Sequence, residues 1–298
     1  MKLKSEYNNE TAIPEIIIDI SGKAIFCNQP AIDAFKIRVG SDVSKLVDID
    51  EIKKLSMFSN KIDVLKTFHS KYKEATVIIF GQGINKSIKL TFRKGYEKSP
   101  SDILQEKNIL SVASSVAINQ DKKTISINEL STDIKKTVVE NGYFLNTYVK
   151  DDSFYHKESH LQALILCSIA MMNETSPKKP VDLYISKNGE NLEVKIIVRI
   201  ETMKEARGAQ AVEAMLPWCS LRIALIDSIC DKDNISYSIR VVERQFKIVY
   251  KIPELKAEST LLRTFTISQS MLYELYTLLA PRENIALKYG KPGEEQEG

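Results

Sequence analysis

No apolar run in this chain approaches the roughly 20 residues that cross a bilayer. Its first stretch, Met1–Glu10, is polar and does not read as a signal peptide. The expectation is a cytoplasmic protein without a membrane span. An excess of charge is missing too: 42 basic residues against 39 acidic ones leave only +3. That balance gives no electrostatic case for a nucleic-acid partner. The four cysteines, Cys27, Cys167, Cys219 and Cys230, are far apart and form no C-x-x-C pair. They read as reduced, mostly buried thiols and not as metal ligands. Histidine is equally scarce, limited to His69, His156 and His160. His156 and His160 have the i, i+4 spacing that suits a metal on a helix. No third ligand lies near them, and both are expected to be solvated residues at a helix entry. Internal repeats are absent, and the only low-complexity segment is the C-terminal tail. What is present, 43% hydrophobic and 27% charged residues, suits a soluble globular chain. At 298 residues it is long for one core and points to two domains.

The stretch that organises the chain runs from Ser159 to Glu201. Leu161, Leu164, Ile165, Ile169 and Met172 recur at i, i+3, i+4 spacing, the buried face of a helix. Pro177 and Pro180 remove backbone donors and stop it. Two alternating strands follow, Val181–Ser186 and Leu192–Ile200, joined across Lys187–Asn191, where Gly189 supplies the positive φ of a tight hairpin. A long helix, a proline stop and a hairpin bury one helix face on one sheet face.

Upstream, Ile13–Ile20 and Lys23–Cys27 read as strands around a Ser21-Gly22 turn, with Phe26 and Cys27 as core packing. Asn28 caps a helix that has Pro30 in its first turn. Ile49–Met57 and Ile62–Lys73 are expected to be helical, the second carrying His69 as an exposed or half-buried residue. Strands are expected at Ala75–Phe80, Ser87–Phe92 and Ile109–Ala117, with Lys94–Asn108 a long exposed loop between the last two.

Two strands, short helices and three strands follow the order of a PAS domain, and IIIDISGKAIFCNQPAIDAF resembles a PAS opening. The likeness covers Pro14–Ile118. It implies a sensor or dimerisation module that can hold a small ligand between helices and sheet. Cys27 lies on a strand instead of the helix where a flavin photosensor of that family carries its reactive cysteine. His69 is the one residue that a haem would find.

From Lys122 the order is strand, helix, strand, long helix, hairpin: Lys122–Ile127, Asn128–Asn141 closed by Gly142, Tyr143–Val149, then the organising stretch. This resembles the ATP-binding domain of sensor histidine kinases and their GHKL relatives, over Lys122–Glu254. The resemblance implies an asparagine on the long helix for magnesium and phosphate, an Asp-x-Gly after the second hairpin strand for adenine, and a glycine pair opening the post-lid helix. In this sequence those positions fall on Met171, near Ile200, and on Ser220 and Arg222. The lid region Thr202–Met215 has one glycine, Gly208. Arg199, Lys204 and Arg207 can meet an anion, although solvation is the plainer role for each. If nucleotide binds, the candidate residues are Asn173, Glu174 and Gly208. Asn173 comes two places late, about 200° around the helix from the matching position. Between the two domains the family carries a dimerisation hairpin with a phosphorylated histidine. Here Ile118 and Thr124 enclose only Asn119–Lys123, and no histidine has the family's setting.

The expected fold class is α+β: a PAS-like antiparallel sheet with helices, then a two-layer α/β sandwich of the histidine-kinase ATPase type. The expected divisions are a polar lead at 1–12, a PAS-like domain at 13–118, a degenerate ATPase-type domain at 122–255, an extension at 256–289 and a disordered tail at 290–298. The extension reads as a strand at Leu261–Ile267 and a helix at Ser268–Leu279. The expected function is a non-catalytic, homodimeric signalling adaptor that works through a protein partner such as a sensor kinase or response regulator. No catalytic residue, metal or cofactor is expected. A nucleotide-dependent kinase or phosphotransferase with an atypical site, and a small-ligand sensor, are the alternatives.

Overall fold

The structure, a computed structural model, describes residues 13–57, 61–80, 86–93, 100–118, 121–150, 152–201, 205–255 and 278. The expectations for 1–12, 202–204, 261–267 and 290–298, and for nearly all of the 268–279 helix, lie outside the described residues. The fold class is α+β.

The first sheet begins with β1 (Glu15–Asp19) and β2 (Ala24–Cys27). Gly22 turns between them with φ +84°, and a Cβ there would come 2.7 Å from Ile49 Cδ1. Asn28 ties three segments together. Its Oδ1 accepts from Glu15 N–H at 2.9 Å and Ala31 N–H at 3.0 Å, and its Nδ2 donates to Ile13 O at 2.8 Å. It thereby caps α1 (Gln29–Phe35), while Asp48 caps α2 (Ile49–Ser56). Three strands follow, β3 (Ile62–Lys66), β4 (Glu74–Phe80) and β5 (Ser87–Arg93), giving an antiparallel sheet of order β2-β1-β5-β4-β3. Ile16, Ile18, Val77, Ile79, Ile88, Leu90 and Phe92 alternate onto one face and form the core with Ala31, Ile52 and Leu55.

Four expectations are corrected. Ile62–Lys73 is not a helix: Ile62–Lys66 is an edge strand paired with β4, and the chain then turns. The apolar spacing of Ile62, Leu65 and Phe68 resembles a helix face, but Phe68 is 66% exposed, so no such face exists. Conversely, Ile109–Ala117 is not a strand. It lies within α3 (Pro100–Ile118), and this helix also takes up the second half of the expected Lys94–Asn108 loop. Ile109, Val112, Ala113 and Val116 are buried at helical spacing, and Pro100 occupies the first position, where its missing N–H costs nothing. Phe26, expected in the core, is exposed, while Cys27 does pack against it.

Next come β6 (Lys123–Ser126), α4 (Ile127–Glu140), β7 (Leu145–Val149), β8 (Ser153–His156) and α5 (Glu158–Thr175). The hairpin β9 (Val181–Asn188) and β10 (Asn191–Arg199) turns at Gly189, φ +63°. Short elements follow, β11 (Ala206–Arg207), α6 (Ala209–Met215) and α7 (Ser220–Lys232), and the chain closes with β12 (Ser236–Val242) and β13 (Gln245–Pro253).

Two compact units result: Met1–Tyr96 with Lys204–Asp233 and Ile239–Val242, and Glu97–Met203 with Asn234–Ser238 and Glu243–Gly298. They cut the chain differently from 13–118 and 122–255, because α3 falls in the second unit and α6–α7 in the first. In the second unit the strands run β13-β10-β9-β7, with β7 parallel to β9 and the other two pairs antiparallel. Helix α5 is buried from Ser159 to Asn173 and packs on β9 and β10. Its Ser168 hydroxyl shares a 2.7 Å hydrogen bond with the Tyr250 hydroxyl.

Candidate functional site

Met171, where the resemblance implies an asparagine, is fully buried. It shares a helix face with His160 and Glu174, eleven residues before and three after. Both of these bond to α3: the Glu174 carboxylate accepts from Gln105 Nε2 at 2.7 Å, and His160 Nε2 lies 3.1 Å from Val116 O. The expected magnesium-and-phosphate face of α5 is therefore packed on the chain's own helix. Ile200, at the adenine position, is 5% exposed and spends its N–H on Arg244 O at 3.0 Å.

Asn173 is 2% exposed, and its Nδ2 has no hydrogen-bond partner. Ser159 Oγ and Gln162 Oε1 are likewise buried without partners. At 100° per residue these three side chains leave α5 within about 60° of one another. Asn173 and Glu174 thus have different environments, the second held by α3 and the first unpaired. Both belong to the second unit, whereas Gly208 belongs to the first.

Gly208 precedes α6 with φ +90°, and nothing lies within 4 Å of where its Cβ would be. Its backbone angle, not close approach, asks for glycine. Its N–H donates to Ile239 O at 2.8 Å, so that amide already has an acceptor. Ser220 and Arg222 do not open α7 as glycines would, being 2% and 0% exposed. The Arg222 guanidinium lies 6.0 Å from the Trp218 ring centroid, and Arg199 and Arg207 are exposed.

One polar cluster had no signal in the sequence. Helix α7 packs on β3 and β4, on the face of the first sheet opposite its core. There Thr76, Ile78, Thr91 and Arg93 are all buried. Lys89 Nζ sits 2.5 Å from Glu15 Oε1 and 3.3 Å from Asp227 Oδ2 of α7. The Ser220 hydroxyl donates to Glu213 Oε1 of α6. Burial raises the Glu213 carboxyl from its ordinary 4.5 to about 7, against the lowering pull of Ser220, Lys89 and Arg93. These residues are spread over more than two hundred positions and follow no spacing rule; only the fold gathers them.

The histidine expectations are corrected as well. His156 and His160 are fully buried, not solvated. The His156 ring lies 5.8 Å from Phe154 with 12° between planes. Among the described residues no group of three His, Cys, Asp or Glu is placed to hold a metal. His69 lies in the turn after β3, its Nδ1 accepting from Lys71 N–H and Tyr72 N–H at 3.2 and 3.3 Å. Those bonds put the neutral ring's proton on Nε2, which removes the lone pair a haem iron would use.

Comparison with solved structures finds the Acinetobacter baumannii histidine kinase AdeS, 11% identical, covering 52% of this chain and 79% of that one at TM-score 0.41. The Erythrobacter litoralis blue-light activated histidine kinase is 9% identical, with 82% and 96% covered and a TM-score of 0.35. Histidine kinase ThkA in complex with response regulator protein TrrA is 10% identical, again with 82% and 96% covered, at 0.38. No protein-family model and no curated protein matches the sequence. Among the described residues no helix is long and apolar enough to cross a membrane.

Proposed function

We propose that this chain is a cytoplasmic signalling adaptor of histidine-kinase-like build that acts through protein contacts and not through phosphotransfer. The observation that carries this reading is the filling of α5's expected ligand face: Met171 is buried on the face that binds α3. Ile200, Ser220 and Arg222, all buried, agree with it. Four cysteines outside any disulfide suit a reducing compartment. In this reading the PAS-like sheet holds α6–α7, and a homodimer presents the ATPase-like unit to a sensor kinase or response regulator.

A second reading, a nucleotide-dependent kinase with an atypical site, is favoured by one observation. The buried, unpartnered Asn173 amide shares its helix face with two other unpartnered polar atoms. An unsatisfied buried amide costs about 1–3 kcal/mol unless a ligand binds it. Thermal unfolding of wild type and Asn173→Leu, each with and without Mg-ATP, separates the two. The adaptor reading expects the leucine variant to be more stable by about 1 kcal/mol, a rise of a few degrees in Tm, with no shift from Mg-ATP in either protein. A nucleotide-induced rise in the wild type that Asn173→Leu abolishes would overturn it.

A further inference from the structure

We propose that the outer face of the second unit's sheet is a docking surface for an acidic amphipathic helix of a protein partner. Helices α4 and α5 pack on one face of β13-β10-β9-β7. That face takes the buried Leu183, Ile185, Val194, Ile196, Phe246 and Ile248. Alternation sends the intervening side chains to the other face, and along β9, β10 and β13 none of them is buried.

The register fixes what lies there. Tyr184 stands between Tyr148 of β7 and Lys195 of β10. Its ring stacks on Tyr148 at 4.6 Å with 12° between planes, and Lys195 Nζ lies 4.9 Å from its centroid. Val249 sits directly opposite Lys195, and Ile197 comes two residues further along β10. The middle of the face is therefore aromatic and aliphatic. Around it are Lys247 and Lys251 of β13, Arg199 of β10, and Lys150 just past β7. Carboxylates are fewer: Glu193 lies directly opposite Lys251, and Asp182 accepts from Asn146 Nδ2 at 2.9 Å. The β10–β13 ladder sets Arg199 opposite Gln245, Lys195 opposite Val249 and Lys247 opposite Ile197, with no carboxylate in any of these pairs. The chain's net charge is only +3, so a basic excess on one face is local and not general.

Charge complementarity asks for an acidic partner. Four strands make a face about 15 Å wide, which takes one helix of about 10 Å diameter. The apolar stripe of such a helix would meet Tyr148, Ile197 and Val249, and its carboxylates the surrounding cations, an apolar centre within a polar rim. Other occupants fit less well. A nucleic-acid base finds both sides of the Tyr184 ring taken, by Tyr148 and Lys195. A bilayer finds Ile197 and Val249 half-buried where it needs protruding apolar side chains. A second copy on the same face would set like charges together. The proposal rests on the adaptor reading, for which it names the contact surface.

Fluorescence anisotropy on the full chain tests it, with a labelled synthetic peptide of about 14 residues. The peptide carries Leu at i, i+3, i+4 and i+7 spacing and Glu elsewhere; its counterpart has Lys for Glu. The Glu peptide should bind saturably, more weakly as salt rises from about 50 to about 200 mM, and the Lys peptide should not bind. Reversing two cations, Lys195→Glu with Lys247→Glu, should weaken binding roughly tenfold or more. No binding of the Glu peptide up to millimolar concentration would overturn the proposal, as would equal binding of both peptides or an unchanged affinity in the reversed variant. Should that variant fail to fold, Tyr148→Ala serves, since Tyr148 is 50% exposed. It should also lose roughly tenfold, and an unmoved affinity overturns the idea. Phosphatidylserine vesicles or an oligothymidylate bound in place of the Glu peptide would assign the face to lipid or nucleic acid and overturn it. A dimer that the charge reversal dissociates would assign it to a second copy, with the same result. Nucleotide binding found by calorimetry would sink the adaptor reading and leave the peptide result standing. A failed peptide titration without nucleotide binding would sink this surface alone.

Discussion

Replacing Lys89 with methionine is expected to lower the stability of the first unit by about 3 kcal/mol. Methionine keeps most of the side chain's length and apolar contact, so the loss reports the charge. Lys89 is the cation between Glu15, whose side chain is 7% exposed, and Asp227, 19% exposed. Without it two carboxylates face each other where water has little access. Breaking a buried pair from one side costs about 3–5 kcal/mol, because it strands the partner's charge. Partial exposure of Lys89 and Asp227 puts the expectation at the lower end. Denaturant unfolding gives the value, and Asp227→Asn in the same chain should restore part of it. A loss below about 0.5 kcal/mol would mean an ordinary surface pair and would remove the electrostatic part of α7's seating.

Met171→Asn introduces the residue type that the resemblance implies at this position of the long helix. It is expected to destabilise the protein by about 4 kcal/mol and to confer no affinity for Mg-ATP. Roughly 2 kcal/mol comes from lost apolar burial and packing at a fully buried position. A similar amount comes from burying an amide against α3 with no partner. Denaturant unfolding with and without Mg-ATP reads both. A stable variant that binds Mg-ATP would show that α3 does not fill this face.

The α5–hairpin unit was legible because it is local. Helical recurrence from Leu161 to Met172, the stop at Pro177 and the positive φ at Gly189 are all set within a few residues, and the structure has each. The Asn28 cap was legible for the same reason, although its bonds to Glu15 and Ile13 were not. Errors came where one apolar pattern serves two structures. Ile62, Leu65 and Phe68 suit a helix by spacing, yet pairing with β4 makes the first two a strand. Ile109, Val112 and Val116 suit a strand by composition, yet their spacing of three and four turns them onto one face of α3. The positions Met171, Ile200, Ser220 and Arg222 were readable from the resemblance. Their packing was not, and neither was the gathering of Glu15, Lys89, Glu213, Ser220 and Asp227, which depends on contacts between residues far apart in the chain.

Calorimetric titration of the purified protein with ATP and with ADP, each with and without magnesium, tests the adaptor reading most directly. The account predicts no binding heat up to millimolar nucleotide. Saturable micromolar binding would contradict it and make Asn173, Glu174 and Gly208 the first residues to substitute.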